Sequence, residues 1–139
     1  GVTGYVRLNT VLERMEMPPI VHDRRQWVDS IFVEALRKAM WGAGYLWWDE
    51  GQERMPEDNE IIMGFEGELY AIQSNFQAVQ IDQPYAAIGA GAWHAEGAMA
   101  AMEQLRQSIA PKRRVEIALK AAAMHSPYVS PPFTIFRTG

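Results

Sequence analysis

Three observations predict an α+β fold: helical apolar patterns at both ends of the chain, an alternating run with a tight turn in its middle, and a glycine bend opening onto an alanine-rich helix. The bend is the most informative. Tyr85-Ala86-Ala87-Ile88 is a short apolar run, Gly89-Ala90-Gly91 follows it, and Ala92 to Met102 is crowded with alanine. Side chains this small let two backbones come close, so the stretch reads as a strand-to-helix turn pressed on a neighbour. The predicted order is helix, helix, strands, helix, helix, strand.

Val6, Leu8, Val11, Leu12 and Met15 recur at helical spacing among Arg7, Asn9, Glu13, Arg14 and Glu16, which predicts an amphipathic helix over about residues 5–17. Pro18-Pro19 stops it. Asp23 is placed to cap a second helix with Val28, Ile31, Phe32, Ala35, Leu36 and Ala39 as its buried stripe, ended by Gly42 or Gly44. Tyr45-Leu46-Trp47-Trp48 reads as a buried edge of the core. The polar stretch from Asp49 to Asn59, with Gly51, Pro56 and no periodicity, reads as a surface loop.

The middle of the chain carries the cleanest local signal. Ile61, Met63 and Phe65 alternate against Ile62 and Gly64, a tight turn falls at Glu66-Gly67, and Leu69-Tyr70-Ala71-Ile72 leads back, which predicts a hairpin. Ala78-Val79-Gln80-Ile81 continues it as a third strand, and Pro84 separates it from the bend. On the helix after the bend, Ala95, Ala98, Met99, Met102 and Leu105 form one face, while Gly97, Ala100 and Ala101 thin out the rest so that a neighbour can approach. Pro111 suits the first position of the last helix, where its missing N–H has no partner to lose, and Val115, Ala118, Leu119 and Ala122 form the buried face there. His125-Ser126-Pro127 ends that helix, and Phe133-Thr134-Ile135-Phe136 is expected as a final strand after Pro131-Pro132.

With 139 residues, 48% of them hydrophobic and 22% charged, the chain is expected to fold as a single domain over 1–139. The net charge of -4 supplies no basic field, and Lys112-Arg113-Arg114 is too short to change that, so nucleic acid is not an expected partner. The absence of cysteine removes disulfides and thiolate chemistry and fits a reducing compartment. No apolar segment approaches the ~20 residues that span a bilayer, so no membrane partner and a cytoplasmic location are expected. The chain opens Gly1-Val2-Thr3-Gly4 without methionine, and Val2 between glycines reads as the end of a strand begun earlier. The domain is therefore expected to be N-terminally incomplete.

His22, His94 and His125 lie in separate elements without ligand spacing, so no metal and no cofactor are expected. Gly89-Ala90-Gly91 lacks the third glycine and the downstream acid of a dinucleotide fingerprint. Trp47-Trp48 reads as core or interface packing rather than a pocket wall, and Glu50, Glu53, Glu57, Asp58 and Glu60 as a solvated loop. Composition and spacing alone specify no reaction.

The ordered set of motifs nonetheless resembles one family across nearly the whole chain. Gly1-Val2-Thr3-Gly4-Tyr5 running into Leu12-Glu13-Arg14-Met15-Glu16 is similar to the stretch of HslV and proteasome beta subunits where a glycine-containing strand end feeds the first helix. Phe65-Glu66-Gly67-Glu68-Leu69-Tyr70 resembles their central hairpin, and Ala87-Ile88-Gly89-Ala90-Gly91-Ala92 their glycine-serine-glycine turn. The run from Pro111 to Leu119 looks like their last long helix, and Pro132-Phe133-Thr134-Ile135 like their closing strand.

That resemblance implies an N-terminal nucleophile (Ntn) hydrolase sandwich, αββα, with antiparallel sheets layered between helix pairs and, here, without its first strands. It implies peptide-bond hydrolysis by an N-terminal threonine, occasionally serine or cysteine. The nucleophile's own amine serves as base, a lysine lowers that amine's pKa, and backbone N–H groups hold the oxyanion. The nucleophile, the lysine and the supporting acid would all precede Gly1, so this chain alone is expected to be inactive. Gly4 matches the glycine whose N–H donates to the oxyanion. Ala90 stands where the family's turn has its serine, so one supporting hydroxyl is absent, and the family's acid before the last loop has no counterpart near His125-Ser126-Pro127. Thr3 is not expected to serve as nucleophile, because a helical pattern rather than a strand follows it. The implied partners are a homo-oligomeric ring, the missing N-terminal segment or an unfolding ATPase. Two alternatives stay open: a non-catalytic assembly subunit on the same fold, which Ala90 favours, and an Ntn amidohydrolase acting on a small amide.

Overall fold

The computed structural model describes residues 2–49, 51–55, 60–105 and 108–137. The architecture is mixed α+β, and the chain divides into two compact units, Gly1–Gln80 and Ile81–Gly139. In the first unit, helix α1 (Val2–Arg14) begins earlier than its apolar pattern. Val2, Thr3 and Gly4 continue the helical backbone instead of ending a strand. A strand end exists only through a partner's hydrogen bonds, and none pairs with these residues among those described.

Past Pro18 and Pro19, Asp23 caps the next helix as expected, its Oδ1 accepting the Gln26 N–H at 2.9 Å. Helix α2 (Arg24–Gln26), a π-helical segment (Trp27–Phe32) and α3 (Val33–Gly42) then run end to end. Val28, Phe32, Leu36 and Met40 are all buried. At 3.6 residues per turn every fourth residue overshoots a full turn by roughly 40°, so an unbroken α-helix would carry this stripe round its axis. The wider turn at 27–32 takes up part of that drift. Gly44, at φ +65°, ends α3: the Gly44 N–H bonds the Trp41 carbonyl and the Tyr45 N–H the Met40 carbonyl, both at 2.9 Å. This Schellman arrangement also brings the apolar residues Met40 and Tyr45, both buried, to the contacting positions.

Strand β1 (Trp47–Asp49) pairs antiparallel with β2 (Gln52–Arg54), so part of the expected loop is a small hairpin turning at Gly51, φ +80°. Its pattern is too short for alternation to register. Trp47 and Trp48 are exposed, and only Tyr45 of the expected buried edge is buried, because a two-stranded ribbon leaves side chains uncovered. Beyond it, β3 (Ile61–Phe65) and β4 (Glu68–Ile72) form the expected hairpin, with Ile61 opposite Ile72 and Phe65 opposite Glu68. Glu66 and Gly67 both take positive φ, +47° and +85°, which gives the turn whose twist matches the strands. β5 (Ala78–Ile81) lies beside β4, and the buried Met55 N–H bonds the Ser74 carbonyl at 2.8 Å. The core gathers Trp27, Val28, Leu36, Met40, Tyr70 and Ile72 between helices and sheet.

Within that core the Tyr70 hydroxyl donates to Glu68 Oε2, and this bond first, burial second, holds the phenol above its ordinary value. A folded state that binds the proton more tightly than the unfolded chain is favoured by it at every pH below the ordinary tyrosine value, about 10. That contribution is lost as pH rises through the folded value. Tyr70→Phe is expected to cost about 1 kcal/mol at neutral pH. It should also flatten the alkaline loss of stability, read from urea midpoints between neutral pH and pH above 10.

In the second unit, helix α4 (Ala92–Gln104) packs on helix α5 (Pro111–His125), which opens with its proline at N1 as expected. Ala95 faces Ala118 and Ala122 across a seam of methyl groups, with Ala87, Ala98, Met99 and Val129 around it. Residues 85–88 join no sheet: the Ala87 N–H is taken at 3.1 Å by Glu96 Oε1 from α4 instead of by a strand. Nor do residues 133–136 form the expected final strand. A strand needs a ladder partner, and none is present among the described residues. No helix among the described residues is long and apolar enough to cross a membrane.

Candidate functional site

The bend is where sequence and geometry meet most closely. Gly89, at φ +92°, turns the chain, and the Ala92 N–H bonds the Gly89 carbonyl at 3.0 Å. Gly91, the N-cap of α4, is buried. A Cβ there would lie 2.7 Å from Ala122 Cβ and 2.9 Å from Val129 Cγ2, closer than real carbon contacts, so the missing side chain is what lets the bend sit on α5. The far side of the contact is built by the end of α5: the Ser126 N–H bonds the Ala122 carbonyl at 2.8 Å and the Val129 N–H bonds the Ser126 carbonyl at 3.2 Å, folding Val129 back over Gly91.

Ala90 is exposed in this bend. Gly4 lies in the first unit, in the opening turn of α1. Thr3 shares that turn.

A second feature runs along α4 beside the seam with α5. Trp93, Glu96, Gly97, Ala100, Glu103 and Gln104 follow one another at helical spacing, and with Ile81, Gln83 and Tyr85 they border an open groove of about 610 Å³. Its middle is wide because Gly97 has no side chain and a Cβ there would meet nothing within 4 Å. Among the described residues nothing fills the space beside Gly97, one of the small residues expected to admit a close neighbour. Trp93 stands at one end, 85% exposed. Glu96 holds the Tyr85 wall in place through its bond to the Ala87 N–H, and Glu103 pairs with the Arg114 guanidinium across on α5.

His94 and His125 come together in a way their sequence separation conceals. Antiparallel packing sets the start of α4 beside the end of α5, and the two rings stack at 4.8 Å with 30° between their planes. Among the described residues no group of three or more potential ligands gathers for a metal ion. No protein-family model matches this chain, and no curated protein or solved structure matches it.

Proposed function

We propose that this chain is a proteasome-like or HslV-like subunit of the Ntn-hydrolase type. It would hydrolyse peptide bonds through an N-terminal nucleophile carried upstream of Gly1, inside a ring of like subunits and in the cytoplasm. One observation carries the reading: an antiparallel hairpin, a glycine bend, α4 and α5 follow one another in the resembled order, and the bend is packed on α5 through Gly91 instead of lying loose. On this reading the α+β architecture belongs to an αββα sandwich that lacks its first strands. The Gly4 N–H donates to the oxyanion, and Ala90 replaces a supporting hydroxyl beside the nucleophile's amine.

The loss of that hydroxyl favours a second reading, a non-catalytic subunit that keeps the ring interfaces and not the chemistry. Fluorogenic peptides presented to the product of the complete reading frame separate the two. The first reading expects hydrolysis that vanishes when the N-terminal nucleophile is replaced by alanine. Rings of normal size without hydrolysis support the scaffold.

A further inference from the structure

We propose that the groove along α4 is a docking site for a peptide segment bearing lysine or arginine, a site that does not depend on the catalytic reading. From Trp93 to Gln104 the helix rises roughly 16 Å. That length matches about five residues of extended chain at ~3.3 Å each. The groove's chemistry selects the charge of its occupant. Among its described bordering residues Glu96 and Glu103 are anionic and none is Lys or Arg. Glu103 shares its charge with Arg114, whereas Glu96 accepts only a neutral N–H in its described bonds and keeps its own.

The apolar groups favour the same guest. Trp93 and Tyr85 offer π faces, which attract ammonium and guanidinium groups, and the methylene stem of such a side chain covers the floor of Gly97 and Ala100. Gln83 and Gln104 supply amides that both donate and accept, which suits a peptide backbone. A glycine at 97 gains no packing from the described residues, since none of them stands within 4 Å of its absent Cβ. Its effect is to keep the groove open.

The test is fluorescence anisotropy of a dye-labelled pentapeptide rich in lysine, with sequence-matched glutamine and glutamate peptides and free arginine as comparisons. Saturable binding of the lysine peptide is expected, weakening as salt screens the carboxylates. Trp93→Ala should weaken it about tenfold. Glu96→Gln removes the charge but keeps an oxygen for the Ala87 N–H, so it should weaken binding without lowering the melting temperature. Gly97→Leu should abolish binding in a protein that melts no lower than the parent. Equal binding by all three variants, equal binding of the glutamate peptide, no binding of the lysine peptide, or free arginine binding as tightly as the peptide would each overturn the proposal.

Discussion

Trp27→Ala is expected to lower the stability of the first unit by about 3–5 kcal/mol, the range for truncating a buried large aromatic side chain. Trp27 is only 2% exposed, stacks on Phe65 with ring centroids 4.4 Å apart, and meets Phe32 at 5.4 Å. It ties the π-helical segment to the hairpin. Its Nε1–H donates to the Pro19 carbonyl at 2.9 Å, fixing the chain that leads from α1. Losing the ring therefore opens a cavity and leaves that carbonyl without its partner. Trp27→Phe separates the two effects, keeping most of the apolar surface and losing the hydrogen bond, at about 1–2 kcal/mol. Urea midpoints with unchanged slopes are the measurement; equal midpoints for parent and Trp27→Ala would contradict the assignment of this residue to the core.

Gly91→Ala is the second large effect, about 1–3 kcal/mol, the usual cost of forcing a methyl group into a packed site. Backbone strain plays no part, since Gly91 sits at φ -104°, which alanine adopts readily. The cost comes from Ala122 and Val129, 2.7 and 2.9 Å from the added carbon. A double-mutant cycle checks that origin. Ala122→Gly alone destabilises α5 by about 1 kcal/mol. Combined with Gly91→Ala it should lose less than the sum, because the nearest obstructing carbon is gone. Strict additivity would place the strain elsewhere.

Local sequence signals proved legible wherever one residue type has one physical use. Asp23 as an N-cap, Pro111 at the head of α5, the Glu66-Gly67 turn and the third strand at Ala78–Ile81 all fall where expected. The close approach expected at Gly89-Ala90-Gly91 resolves to Gly91, while Gly89 serves the turn itself. Elements that depend on a distant partner were not legible. Phe133 to Phe136 has strand composition but no ladder among the described residues, and Ala87 donates its N–H to Glu96. The hairpin at Trp47–Asp49 and Gln52–Arg54 hid in a polar stretch because three-residue strands carry too few alternations to read.

The same distinction applies to the candidate sites. The small residues of α4 were visible in sequence, but whether they admit a neighbour or line a groove depends on what lies above them. The answer differs between Ala95, buried against α5, and Gly97, open. The stacking of His94 on His125 follows from helix packing alone. Their separation along the chain holds no trace of it.

Intact-mass spectrometry on the product of the complete reading frame, incubated with a threonine-directed covalent inhibitor, bears most directly on the proposed function. The expected product is a chain processed to a new N-terminus upstream of Gly1, carrying one inhibitor on that first residue. An unprocessed chain that assembles normally and takes up no inhibitor would contradict it.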